Sequence, residues 1–127
     1  VEETRKIVEK SPVFSQTEKE GVLCTGYGHV GDGNLHLNVS IPGYDDQSYQ
    51  QKLNQVVEPF VMEFVRDAKG SVSAEHGIGY QKANFLQYSK SKELVQYMKK
   101  IKNVFDPNGI LNPYKLLPET IERWCEN

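Results

Sequence analysis

Apolar residues recur at steps of three and four over two long stretches, and alternate with polar ones over a third. Tyr49, Leu53, Val56, Phe60 and Phe64 carry the first rhythm, which predicts a helix over residues 46–68 with Gly70 as its stop signal. Leu94, Met98, Ile101 and Phe105 repeat it and predict a second helix over 91–105, ended by Asp106-Pro107-Asn108-Gly109. Residues 2–10 read as a shorter helix that stops at Ser11-Pro12, because a proline cannot continue a helix in its middle. Residues 13–20 are polar and read as a loop.

The alternating stretch predicts a hairpin. Residues 22–29 and 35–41 read as strands, with the turn-forming run Gly31-Asp32-Gly33-Asn34 between them. In the second strand Leu35, Leu37, Val39 and Ile41 point one way, while His36, Asn38 and Ser40 point the other. If the hairpin closes around Gly31–Asn34, Val30 lies opposite Leu35 and His29 opposite His36, with Cβ atoms of opposed residues roughly 5 Å apart. The two histidines then share a face with Asn38 and Tyr27, and the leucines face the core. Ser71–Ala74 is a short strand candidate leading into Glu75-His76-Gly77-Ile78-Gly79, where glycines permit a sharp turn. The order helix, hairpin, helix, strand, helix predicts an α+β fold: an antiparallel sheet with helices packed on one face.

At 127 residues the chain has room for one domain with a core of its own, and residues 1–127 are read as one domain. A net charge of −2 leaves no broad basic field, which argues against nucleic acid as the main partner. No apolar run approaches a membrane span, so no transmembrane segment is expected. The opening Val1-Glu2-Glu3-Thr4-Arg5-Lys6 is charged, unlike a signal peptide, and its valine suggests a processed chain or a piece of a longer one. Cys24 and Cys125, far apart and outside any Cys-x-x-Cys spacing, read as free thiols in a reducing compartment. Asn38-Val39-Ser40 matches a glycosylation sequon and reads as chance.

The chain has only three histidines, and all three fall in two glycine-rich segments. His29 and His36 are not at a helical metal spacing, but a hairpin would make them neighbours. Glu75-His76 adds a carboxylate and a third imidazole in a glycine-bounded turn. Two imidazoles and a carboxylate suit a catalytic divalent metal such as zinc, with a position left open for substrate. Surface or hydrogen-bonded histidines fit the same spacing, and spacing alone does not choose between the two. Asp32 sits in a turn that aspartate favours anyway. The Gly31–Asn34 run is too short for an EF-hand loop, and no Gly-Lys-Ser/Thr marks a P-loop. The lysines of residues 90–102 read as a solvated helix face.

Three runs together resemble a known family. Gly26-Tyr27-Gly28-His29-Val30-Gly31-Asp32-Gly33-Asn34-Leu35-His36, then Ser73-Ala74-Glu75-His76-Gly77-Ile78-Gly79, then Asp106-Pro107-Asn108-Gly109-Ile110-Leu111-Asn112-Pro113 stand in the family's order. They resemble the C-terminal substrate domain of FAD-linked oxidases, the vanillyl-alcohol-oxidase-like flavoproteins that oxidise D-2-hydroxy acids. The resemblance runs from about residue 20 to 118. Within it, Ser71–His76 and Asn112–Pro118 look most like the mitochondrial branch that oxidises D-2-hydroxyglutarate. The D-lactate and glycolate branches tend to carry Gly before the Glu-His pair and a Pro-Gly-Lys ending.

The resemblance implies oxidation of the C2 hydroxyl of D-2-hydroxyglutarate to 2-oxoglutarate, with FAD taking the hydride and an unidentified acceptor reoxidising the flavin. It implies zinc ligands at His29, His36 and Glu75, a substrate contact at Asn38, and at His76 a substrate contact and proton acceptor. Zinc would stabilise the alkoxide-like oxygen that develops as hydride leaves, and a neutral imidazole can take the proton near neutral pH. It also implies a mitochondrial location. The FAD-binding domain and the residues for the distal carboxylate are expected upstream of this sequence, so the chain alone is expected to bind FAD weakly and to be inactive. Two alternatives stand beside this reading: a D-lactate dehydrogenase with the same metal site, and a non-catalytic metal-binding α+β module.

Overall fold

The structure, a computed structural model, describes residues 1–41 and 47–120. Cys125 and the predicted helix start at residue 46 lie outside the described residues. The chain divides into two compact units, Val1–Phe64 and Val65–Asn127.

The first unit opens with α1 (Glu2–Lys10), which stops where Pro12 predicts: the Ser11 amide donates to the Ile7 and Val8 carbonyls. Residues 13–20 are not all loop. A second helix, α2 (Gln16–Gly21), starts at Ser15 through a capping box, in which the Ser15 hydroxyl accepts from the Glu18 amide and the Glu18 carboxylate from the Ser15 amide. Polar composition hid a helix whose start signal, Ser-x-x-Glu, was in the sequence. Glu18 is buried, and Lys52 of α3 (Gln47–Asp67) reaches it at 2.7 Å. That cation, together with the Ser15 amide, holds the Glu18 carboxyl below its usual range.

Strands β1 (Leu23–Tyr27) and β2 (His36–Ser40) pair antiparallel. The core gathers Val8 of α1, Phe14, Val22, Ile41, and Tyr49, Leu53 and Val57 of α3. Cys24 and Val39, opposed across the ladder, pack against it. One sheet face therefore covers the core, and the other presents Thr25, Tyr27, His36 and Asn38, as the alternation predicts. Of the predicted α3 stripe, Tyr49 and Leu53 are buried, Val56 and Phe60 half-buried, and Phe64 exposed.

In the second unit α3 ends in a left-handed C-terminal cap. The Lys69 amide donates to Arg66 O at 2.9 Å and the Gly70 amide to Val65 O at 2.7 Å. These are the two bonds of a Schellman motif. Lys69, at φ 53°, takes the left-handed position, so Gly70 follows the stop instead of making it. The predicted strand at Ser71–Ala74 is a run of turns. A strand needs a partner ladder, and this unit offers no strand among the described residues. A 3₁₀ segment, Ala83–Tyr88, leads to α4 (Lys92–Phe105), capped by the Ser91 hydroxyl. The helix falls where predicted, but its buried residue is Val95. Leu94, Ile101 and Phe105 of the predicted core stripe are exposed, because no described element covers that face.

Candidate active site

The hairpin reaches its register through glycines. The ladder pairs Tyr27 with His36, Gly26 with Leu37 and Thr25 with Asn38. His29 therefore does not stand opposite His36; this corrects the pairing read from the Gly31–Asn34 turn signal. The connection spans residues 28–35 and contains a 3₁₀ turn, Val30–Asp32, that starts at His29. The His29 carbonyl accepts from the Asp32 amide at 3.0 Å and the Asn34 amide at 3.2 Å, which closes the loop internally and ends β1 two residues earlier than predicted. At Gly28, φ is 153°, and an added Cβ would stand 2.2 Å from the Asn34 carbonyl oxygen. Only glycine allows that crossing. Leu35 lies over Gly26, where a Cβ would meet its Cδ1 at 2.9 Å, so Leu35 is exposed instead of facing the core.

A shift of two residues keeps the paired side chains of the ladder on their predicted faces. Tyr27 stacks on His36 with ring centroids 5.2 Å apart and planes 11° from parallel. That contact orients the imidazole from one side. His36 is half-buried at the start of β2, Asn38 is exposed on the same face, and His29 is exposed at the loop. Thr25, opposite Asn38, belongs to this surface although no motif marks it.

Glu75 and His76 stand exposed in the second unit, in a turn closed by the His76 amide donating to Ser73 O at 2.9 Å. Ala74, Gly77 and Gly79 hold positive φ around them. The closing motif docks on this turn: the Leu116 amide donates to Gly79 O at 2.7 Å, and Lys115 Nζ lies 5.6 Å from the centre of the Tyr80 ring. Asp106 anchors the motif's other end. Its carboxylate accepts from Lys102 Nζ, from the Ile110 amide at 3.0 Å and from the Leu111 amide at 2.9 Å. Lys102, then those amides, hold the Asp106 carboxyl below its usual range. In sequence the Asp-Pro-Asn-Gly run was a helix stop and part of the third family motif; in the structure its aspartate also clamps the start of the segment that reaches the Gly79 carbonyl.

The spacing Gly26-x-Gly28-x-x-Gly31 is that of a dinucleotide fingerprint, but here it joins two antiparallel strands. A dinucleotide site needs that loop to open a helix whose N-terminus faces the phosphates, so the run is no such site. Within its own unit the hairpin offers two imidazoles, and the turn in the other offers a carboxylate and an imidazole. These are zinc-type donors, and the donor chemistry fits that metal.

Residues 1–116 match the family of FAD linked oxidases, C-terminal domain. The chain belongs to that family. Among its relatives is the mitochondrial D-2-hydroxyglutarate dehydrogenase of Arabidopsis thaliana, 54% identical over 96 residues, 76% of this chain and 16% of the relative. A D-2-hydroxyglutarate–pyruvate transhydrogenase of Saccharomyces cerevisiae is 48% identical over 105 residues, 83% of this chain and 20% of that protein. A protein provisionally named a mitochondrial D-lactate dehydrogenase in Schizosaccharomyces pombe is 45% identical over 116 residues, 91% of this chain and 21% of that one. This FAD-linked oxidase domain thus spans about a fifth or less of the relatives it matches. Its helices and small antiparallel sheet agree with the α+β architecture expected from the sequence. No helix among the described residues is long and apolar enough to cross a membrane.

Proposed function

We propose that this domain is the substrate-side, C-terminal portion of a mitochondrial FAD-dependent dehydrogenase that oxidises D-2-hydroxyglutarate to 2-oxoglutarate. The observation that carries the proposal is identity near one half to relatives named for that substrate, together with the histidine hairpin and the Glu75-His76 turn. When bound, FAD would accept the hydride and a zinc ion would stabilise the negative charge developing on the substrate oxygen. His29, His36 and Glu75 are the residues that would hold the metal. Asn38, on the face it shares with His36, would bind the hydroxy acid through its side-chain amide. His76 would take the C2 hydroxyl proton on an imidazole nitrogen as the C2–H bond breaks and C2–O becomes a carbonyl. The FAD-binding residues, those for the distal carboxylate, and the group that reoxidises the flavin belong to other parts of the enzyme or to its partners.

The test uses the full-length enzyme. His29→Ala, His36→Ala and Glu75→Ala should each lose zinc and most turnover while keeping FAD. His76→Gln should keep zinc and lose turnover. Unchanged zinc content and rate in the first three variants would refute the ligand assignment. A second reading, a D-lactate dehydrogenase, is favoured by the name of the Schizosaccharomyces pombe relative. A kcat/KM higher for D-lactate than for D-2-hydroxyglutarate would establish it in place of the first.

A further inference from the structure

Tyr27 is an aromatic residue placed where the core cannot use it. It is 60% exposed, on the sheet face that points away from the core. Its ring nevertheless lies flat on that of His36, with centroids 5.2 Å apart and planes 11° from parallel. The two residues form the last pair of the ladder, since β1 ends at Tyr27 and β2 begins at His36. Beyond them the chain leaves the sheet at Gly28, where φ is 153°. The neighbouring pair on the same face, Thr25 and Asn38, carries no ring.

A flat stack has a consequence that a hydrogen bond would not have. The lone pairs and N–H groups of an imidazole lie in the plane of the ring, so metals and protons meet it at the edge. A ring laid on the imidazole face restrains its rotation and itself occupies neither nitrogen. A hydrogen-bonding neighbour would take one of them. His29 is held differently, through its backbone: its carbonyl accepts from the Asp32 and Asn34 amides.

We propose that Tyr27 is a positioning residue for His36, its ring holding the imidazole in the plane that presents a nitrogen to a zinc ion. The inference rests on the assignment of His36 as a ligand and adds the residue that sets its orientation. A merely structural aromatic pair would add to the stability of the hairpin instead.

The zinc affinity of the full-length enzyme tests this, measured on the metal-free protein by competition with a chelating dye. Tyr27→Thr removes the ring and keeps a strand-forming residue, and should weaken zinc about tenfold, the lower end of what supporting residues contribute. Tyr27→Phe keeps the stack and should hold zinc within about twofold of the unsubstituted enzyme. The visible absorption of the cobalt(II)-loaded enzyme should change in Tyr27→Thr and stay the same in Tyr27→Phe. Amide exchange across β2 in the metal-free protein should change by no more than about threefold in either variant. Unaltered zinc binding in Tyr27→Thr overturns the inference. So does an equal loss in Tyr27→Phe, which makes the hydroxyl the active group, or a loss that comes with faster β2 exchange, which makes the pair merely structural. If His36→Ala retains zinc, the ligand assignment fails and this inference falls with it. If His36→Ala loses zinc and Tyr27→Thr does not, the inference alone fails.

Discussion

Gly28→Ala should loosen the histidine hairpin far more than Gly31→Ala, although both change the same loop by one methyl group. At Gly28 the new Cβ would stand 2.2 Å from the Asn34 carbonyl oxygen and 3.0 Å from its carbon, against backbone that cannot rotate away. The φ of 153° adds a conformation that side chains disfavour at about 1–3 kcal/mol. Together these make about 3 kcal/mol a reasonable cost. At Gly31 nothing lies within 4 Å of the added carbon and φ is ordinary, so the cost should stay within about 0.5 kcal/mol. Amide hydrogen exchange across β2 in the full-length enzyme reads the difference locally. A 3 kcal/mol loss of local stability corresponds to exchange about a hundredfold faster, whereas Gly31→Ala should change it by no more than about threefold. Equal protection in the two variants would refute the close Gly28–Asn34 approach and the ladder register that depends on it. Zinc content should fall with Gly28→Ala and not with Gly31→Ala if His29 and His36 are ligands.

Other consequences are as specific. Lys52→Met leaves the Glu18 carboxylate buried with only its local bonds, and should cost about 2 kcal/mol in chemical denaturation. Glu18 has a folded-state pKa below its unfolded value, so the stability it contributes is complete above the model-peptide value of 4.5. That stability is lost as pH falls further through the folded value, and the acid limb of the stability profile should flatten in Glu18→Gln. Val95→Ala, at a fully buried position, should cost about 2 kcal/mol, while Ile101→Ser on the exposed face should have little effect in the isolated chain. Burial raises the Cys24 thiol pKa, so iodoacetamide should alkylate Cys24 in the native chain more slowly than in the denatured one at pH 8.

The legible parts of the molecule were those set by local periodicity. The end of α3 and the span of α4 followed from steps of three and four, α1 ended at its proline, and the faces of β2 followed from strict alternation. What misled was information that sequence spacing does not hold. Gly31-Asp32-Gly33-Asn34 is a strong turn signal, but the loop starts earlier because Gly28 crosses Asn34 and Tyr27 prefers the His36 ring as its partner. Both registers put His36, Asn38 and Tyr27 on one face, so the composition of that face survived an error in the register. The Leu94–Met98–Ile101–Phe105 stripe shows the opposite case: amphipathicity identifies the helix but not what covers its apolar face. Val95, adjacent to the stripe, is the residue of α4 that is buried. The Lys69 cap and the Asp106 clamp show a third. A lysine in a left-handed cap and an aspartate after a helix look like ordinary punctuation until their partners are in place. Those partners give them different roles: Lys69 closes the C-terminal cap of α3, while Asp106 fixes the start of the run of turns whose Leu116 amide meets the Gly79 carbonyl.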